Sequence, residues 1–488
     1  MSPVAGVERP LGIRAGARSP EAPAPSIIAS FRWWGTAWFT IGAVLGCARL
    51  GDNSFLTHLA TGRLIVDGRF PHSDPYSFTA RGAGWVVQSW LASALYAGTE
   101  WAAGPGAVRV LVALTTGLLA AGVWRLTRRI PAVVARVVVT GAVMWAGVGW
   151  WNERPQTFGA LALVAALLVV VEDRRAAWLV PLFAAWIGFH GSWVVGVALV
   201  GLVALGSAPV RPVRRSATYA GAAGVGAVAG AVASPYGTEL LLFPFRLAAR
   251  GSQLAAFKEW QRPGLLQAGT LLVAGMVVLA LLGAARERRW RWLPLVLVVV
   301  ALCAQAQRNL PVAALALLPA IESFLLHLRG ERAAPPPRRR PVLVAGAAVV
   351  ALVGVGVAAS GPHFDLRPYP VALVDHLDER GWIANADVHV VAPDWVGNYL
   401  DLRDGASAQV FVDDRAEVFP TEVHDAHLTL LRDRPGWDDV LDRWAVDVVV
   451  WPEGKPLVEH LDADAAWREV ERSDGFVALC RVGALDGC

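Results

Sequence analysis

Residues 155–175, PQTFGALALVAALLVVVEDRR, set an uncharged apolar run at 155–171 directly before Arg174 and Arg175. A run of this length crosses a bilayer as a helix, and basic residues just beyond it stay on the cytoplasmic side. The same pairing recurs outward along the chain. Further apolar runs lie at 106–124, 131–149, 217–233, 267–285 and 341–359. Of the 488 residues, 55% are hydrophobic and only 17% charged, against about a quarter charged in soluble domains. These numbers exclude a soluble enzyme, a small disulfide scaffold and a disordered chain. The expected fold class is mainly α, a polytopic helical membrane protein.

Five basic clusters punctuate the runs: Arg125/Arg128/Arg129, Arg174/Arg175, Arg211/Arg214/Arg215, Arg286/Arg288/Arg289/Arg291 and Arg329/Arg332/Arg338/Arg339/Arg340. With all five in the cytoplasm, the crossings between them are fixed in parity. The result is eleven spans, at 33–49, 106–124, 131–149, 155–171, 178–189, 191–206, 217–233, 267–285, 293–306, 310–328 and 341–359. Residues 1–26, rich in Pro, Ala, Gly and Arg, form a disordered cytoplasmic arm, and residues 27–360 the transmembrane domain. Residues 50–105 make a long outer loop. Within it Val87–Trp101 is expected as an amphipathic helix lying at the interface.

Residues 361–488 differ in kind. They hold 26 acidic against 11 basic side chains, and mix short helical and strand patterns. Helices are expected at Val371–Trp382, Thr421–Asp433 and Asp438–Trp444, and strands at Val388–Ala392, Val410–Val412, Val446–Trp451 and Phe476–Val482. This is a small extracytoplasmic α/β domain. It contains no G-x-G-x-x-G or P-loop, so nucleotide binding has no support. The arginines sit in short loops between spans, so the basic character of 1–360 points to the lipid bilayer and not to nucleic acid. Cys47 and Cys303 are small apolar-segment residues. Cys480 and Cys488 are able to pair if the tail faces an oxidising compartment. No metal-ligand spacing occurs, and neither metal nor cofactor is expected.

Ionisable residues gathered at one membrane face are costly unless paired or functional. The first outer loop carries Asp52, His58, Arg63, Asp67, Arg69, His72, Asp74 and Arg81. Asp52 stands at the lip of the first span, where it either serves a cavity or caps a surface helix over Ser54–Val66. Asp74, before Pro75, either meets substrate or stabilises a turn. Further along, His190, Arg246, Lys258, Glu259 and Arg308 fall at the same face. His190 is a packing histidine or a ligand-binding one. Arg246 and Arg250 have a snorkelling role open to them. Glu153-Arg154 forms a local pair or touches substrate, and Asp413-Asp414-Arg415 is a buried ion pair or binds an acceptor or a divalent ion.

The strings Gly51-Asp52-Asn53-Ser54-Phe55-Leu56-Thr57-His58-Leu59-Ala60-Thr61-Gly62-Arg63, Gly68-Arg69-Phe70-Pro71-His72-Ser73-Asp74-Pro75-Tyr76-Ser77-Phe78-Thr79 and Gln88-Ser89-Trp90-Leu91 resemble a bacterial group of multi-span proteins. That group is placed with the GT-C superfamily of polyprenyl-phosphate-sugar-dependent glycosyltransferases. Further matches are Phe189-His190-Gly191-Ser192, Ser234-Pro235-Tyr236-Gly237, Glu259-Trp260-Gln261, Arg308-Asn309-Leu310-Pro311, Gly397-Asn398-Tyr399-Leu400 and Val410-Phe411-Val412-Asp413-Asp414-Arg415. The chain departs from the group at Leu56-Thr57, where tryptophan is common before the histidine, at Ser234 for Asn, and at Asp414 for Gly.

The resemblance implies a GT-C-like transmembrane domain and an inverting glycosyltransferase. Asp52 then occupies the position of the catalytic base, taking a proton from the acceptor hydroxyl. A leaving lipid phosphate needs cationic or N–H donors. His58, Arg63, His72, Asp74, His190, Lys258, Glu259 and Arg308 are the candidate substrate-binding residues. The implied partners are a polyprenyl-phosphate-linked sugar and a cell-envelope acceptor. The competing function is a non-catalytic membrane scaffold or lipid-binding subunit of the same architecture. A transporter is less favoured, because no inverted repeat is visible.

Overall fold

Apolar runs become helices here, and where glycine, proline or a tight turn interrupts them the helices stop short. The computed structural model describes residues 33–208, 210–254, 257–329 and 340–488; the expected arm at 1–26 lies outside them. In chain order the helices of the apolar part are α1 Trp34–Leu45, α2 Asn53–Val66, α3 Trp90–Ala103, α4 Pro105–Leu126, α5 Val133–Ala146, α6 Gln156–Val171, α7 Leu179–Phe189, α8 Trp193–Ser207, α9 Pro212–Val232, α10 Thr238–Ala249, α11 Gly251–Leu254, α12 Ala268–Arg286, α13 Leu293–Gln305, α14 Leu310–Arg329 and α15 Arg340–Ala359.

Each of the eleven expected spans coincides with a helix, but eleven full spans are not found. Among the described residues three stretches, Pro105–Leu126, Ala268–Arg286 and Gln307–Leu326, are by length and composition long and apolar enough to cross a membrane. The sequence runs include residues that the structure spends on turns. α1 has 12 residues, about 18 Å at 1.5 Å per residue, against a hydrocarbon core of about 30 Å. α7 ends at His190, whose backbone is extended (φ −164°, ψ 141°). α13 opens on a tight turn at Trp290–Trp292 and stops at an extended Ala306.

Small residues let these helices approach closely. A Cβ on Gly42 of α1 would meet the Thr116 carbonyl oxygen of α4 at 2.4 Å, and Thr116 Oγ1 donates to the Gly42 carbonyl at 2.8 Å. On α9, Gly226 and Gly230 face the Val180 and Ala184 carbonyls of α7 in the same way. Four of the arginine clusters gather at one end of this bundle. Glu172 binds Arg125, Arg128 and Arg174, Arg215 pairs with Asp173 at 2.7 Å, and Arg291 donates to the Ala208 carbonyl.

The tail adds α16 Val371–Glu379, β1 Val390–Val391, α17 Asp394–Asp404, α18 Thr421–Leu431, α19 Trp437–Arg443, β2 Val448–Pro452, α20 Pro456–Ala463, β3 Trp467–Ser473 and β4 Phe476–Arg481. The sheet order is β1-β2-β4-β3, with β1 parallel to β2 and β4 antiparallel to both its neighbours. Cys480 and Cys488 are bonded, their Cα atoms 6.1 Å apart. The expected strand at Val410–Val412 is not one. Val410 forms only isolated bridges, to Ser77 and to Val390, because its partner is the first loop and not a long strand. α17, α20 and β3 were not anticipated: their polar faces break the apolar periodicity that marks an element.

The first loop and the tail are locked together by buried charge. Arg415, 6% exposed, binds Asp413 Oδ2 at 2.5 Å and Asp74 Oδ1 at 2.6 Å. Its guanidinium lies over Trp85 and Tyr76 at 4.4 and 4.8 Å. Asp74 also accepts from Ser77 N and Oγ, so it does shape the Pro75 turn. Thr57 Oγ1 of α2 sits 2.8 Å from Asn398 Oδ1 and 2.9 Å from Asp401 Oδ2 of α17. Breaking a buried ion pair strands the remaining charge and costs about 3–5 kcal/mol. Asp413→Ala is therefore expected to lower the melting temperature of the full-length protein sharply. Arg472→Ala, at the exposed pair with Glu453 and Glu469, is expected to leave it unchanged in the same melt.

Candidate functional site

At the end of the bundle away from the arginine clusters, the tail, the first loop and three helix-connecting turns enclose a cavity of about 510 Å³. Asp52 reaches it as the N-cap of α2: Oδ1 accepts from Ser54 N at 3.1 Å, so the capping role is real. Oδ2 accepts from Arg154 Nε at 2.7 Å and from Asn152 Nδ2 at 3.2 Å. The backbone entering α2 is held by Glu153, whose Oε1 accepts from both Gly51 N and Asp52 N at 2.8 Å. Glu153 and Arg154 thus do not form the local pair considered from sequence; they point in different directions and fix Asp52 from two sides. Burial pushes the Glu153 carboxyl up, opposed by those backbone N–H groups.

Arg154 continues the charge chain. Its Nη1 meets Glu259 Oε2 at 2.5 Å, and Glu259 Oε1 meets Arg308 Nη1 at 2.9 Å. Arg308 stacks over the Trp260 ring at 4.3 Å. Asp52, Arg154, Glu259 and Arg308 therefore alternate in sign along one wall of the cavity. Lys258 lines the same cavity and has no ion pair among the described residues.

Two histidines face this chain, and both are neutral. Burial first, then the nearby Arg154 charge, lowers His58 to about 4. Burial, with Arg308 and His58 beside it, lowers His190 to about 3. His58 Nδ1 lies 3.0 Å from Ser93 Oγ. His190 Nδ1 accepts the Ser192 N–H at 3.2 Å, which leaves the ring proton on Nε2 as a donor. A neutral imidazole supplies a hydrogen bond to an anion, not a charge.

Asp52, His58, His190, Lys258, Glu259 and Arg308 are thus brought together around one cavity, and three other sequence candidates are not. Arg63 makes a two-pronged contact with Glu100, both distances 2.8 Å, and donates to the Leu402 carbonyl. His72 packs its ring against Tyr236, centroids 5.1 Å apart. Asp74 is consumed by Arg415 and the Ser77 turn. Arg246 pairs with Glu239 on the surface, and Arg250 donates to the Ala416 and Phe419 carbonyls.

Sequence reasoning underrated Arg154 and Asp414. Asp414 lines the cavity beside the buried Arg415, while Asp413 is buried and does not line it. Burial foremost, then Asp413, pushes its carboxyl up to about 8, opposed by Arg154 and a hydrogen bond with Ser54 and reinforced by Asp394. The one available signal was its place inside an acidic pair at the end of an apolar segment. A second, more apolar pocket of about 250 Å³ adjoins the first and shares His190, Trp260 and Arg308 with it. Leu163, Leu199, Leu302 and Val312 line its depth. Among the described residues no group of three or more His, Cys, Asp or Glu side chains is placed to hold a metal ion.

No family model matches the chain, and no curated protein matches it. Among solved structures, the archaeal oligosaccharyltransferase AglB from Archaeoglobus fulgidus, in complex with an inhibitory peptide and a dolichol-phosphate, is similar over 86% of this chain and 69% of its own. The TM-score is 0.46 and the identity 12%.

Asp414 carries a pH signature. Between its ordinary value of 3.8 and about 8, the folded protein retains a proton that the unfolded chain releases, so wild-type stability falls as pH rises through that window. Asp414→Asn lacks this loss. Its melting temperature relative to wild type is expected to climb between about pH 5 and pH 8, followed by thermal denaturation of both proteins across that range.

Proposed function

We propose that this protein is a membrane glycosyltransferase that moves a sugar from a polyprenyl-phosphate donor to a cell-envelope acceptor at the outer membrane face. The observation that carries the reading is that two pockets share part of their lining. One is a charged cavity where two carboxylates and two guanidiniums meet, and the other is an apolar pocket sharing Arg308, His190 and Trp260 with it. A ligand that fits both has an anionic head and a hydrocarbon chain.

In this reading the acceptor hydroxyl oxygen attacks the anomeric carbon. The bond from that carbon to the phosphate oxygen breaks with its electron pair going to phosphate, and the hydroxyl proton passes to the Asp52 carboxylate. Arg154, Arg308 and Lys258 offset the charge of the departing phosphate, and neutral His190 donates a hydrogen bond. Asp414, protonated at neutral pH by its surroundings, offers a donor to an oxygen of the sugar or acceptor.

Two observations support the outer face. Four of the arginine clusters lie at the opposite end of the bundle, as cytoplasmic residues should, and the Cys480–Cys488 disulfide in the tail suits an oxidising compartment. A non-catalytic lipid-binding role is the second reading. It is favoured by the engagement of both Asp52 oxygens in helix capping and the Arg154 pair.

The two readings separate in one assay. In lipid nanodiscs with a panel of polyprenyl-phosphate sugars and a membrane-extract acceptor, wild type is expected to release polyprenyl phosphate. Asp52→Asn is expected to be slower by about 100-fold or more while keeping its melting transition. Turnover that survives Asp52→Asn removes Asp52 as the base, and no turnover by folded wild type favours the lipid-binding subunit.

A further inference from the structure

Arg154 and Arg308 come from different connections, the turn before α6 and the turn before α14, yet both aim an Nη1 at one carboxylate. Glu259 Oε2 takes Arg154 at 2.5 Å and Oε1 takes Arg308 at 2.9 Å. Two oxygens of a phosphate accept from guanidinium forks in the same manner as two oxygens of a carboxylate. We infer that Glu259 sits in the phosphate seat of this cavity: the phosphate of a lipid-linked donor binds by displacing the Glu259 carboxylate from Arg154 and Arg308. The inference rests on the donor class proposed above and adds a residue that opposes donor binding.

Three features make the exchange local. Arg154 stays anchored without Glu259, because its Nε is held by Asp52 at 2.7 Å. Arg308 is anchored by the Trp260 ring beneath it, at 4.3 Å. Glu259 itself stands on the three-residue turn Lys258–Trp260, between extended Phe257 and Gln261, and its side chain is 26% exposed. Rotation of that side chain alone frees both cations.

The electrostatics favour a one-for-one replacement. Asp52 and Glu259 balance Arg154 and Arg308 as the wall is built. A phosphodiester carries one negative charge and restores that balance when the carboxylate leaves. The turn also remains tied to the bundle during the exchange, because Gln307 donates from Nε2 to the Lys258 carbonyl and from its backbone N to the Gln261 carbonyl. Glu259 is therefore a positioning residue: it holds the two arginines converged and yields them to the ligand.

A structural role predicts weaker binding when the residue is changed; a displaced competitor predicts tighter binding. The test is the affinity of full-length protein in nanodiscs for a polyprenyl methyl phosphate, a phosphodiester of one negative charge, read by native mass spectrometry on wild type, Glu259→Gln, Glu259→Asp and Arg308→Gln. Glu259→Gln is expected to bind about tenfold tighter, one ion pair's worth of competition removed, and Arg308→Gln at least tenfold weaker. Glu259→Asp, whose shorter carboxylate cannot bridge both cations, is expected to tighten binding by a smaller factor, and it decides the matter if the Gln variant does not fold. Unchanged or weaker binding by the Glu259 variants, with wild type binding the lipid, overturns the displacement and leaves the glycosyltransferase reading standing. No binding by any folded protein overturns the donor class itself, and the displacement with it.

Discussion

A guanidinium removed from water must be paired, and the structure around Arg415 follows from that constraint. Its partners come from two regions remote in sequence, Asp74 in the first loop and Asp413 beside it in the tail. Satisfying it pulls the loop against the tail. The pairing sets Val410 beside Ser77, seats α17 on α2 through Thr57, and turns Asp414, the residue between the two buried ions, outward to the cavity. Part of the cavity wall therefore stands on a buried charge that is satisfied, since Arg415 itself lines the cavity. Such an arrangement contributes specificity of docking more than net stability.

In front of that wall the charges are organised differently. The side chains of Asp52, Arg154, Glu259 and Arg308 are 13% to 26% exposed, against 0% to 6% in the Arg415 cluster, so they stay reachable from the cavity while holding one another. Alternation of sign lets four charged groups share a small volume without a stranded charge. It also makes each member replaceable by an anion or cation brought in by substrate. Two histidines beside the row complete the set: burial lowers the pKa of both His58 and His190, so they add donors and acceptors without disturbing the charge balance.

Some of this was legible in the sequence and some was misread. The helices of the apolar part, α2 after Asp52, and β2 and β4 in the tail follow from periodicity and caps. The number of full spans does not, because a run such as 293–306 reads as continuous while its ends are turns. Val410–Val412 has strand composition and lacks a strand partner. Arg63 and His72 lie in the charge-rich loop with Asp52 and His58, and helical phase alone could not tell which faced the cavity. Their partners, Glu100 and Tyr236, are remote in the chain.

By itself the sequence determined the helical membrane-suited core, the segregation of arginine from the acidic tail, and the position of Asp52 at the start of a helix. These depend on composition and on spacing within a few residues. Only the tertiary structure decided that Arg154 holds Asp52, that Glu259 bridges two arginines, and that Asp414 faces the cavity while Asp413 is buried. Those outcomes depend on pairings between remote positions of the chain, for example Arg154 with Glu259 and Arg415 with Asp74. The physical reason is that a charge chooses its partner by distance in space and by the absence of water, and neither is encoded in local spacing.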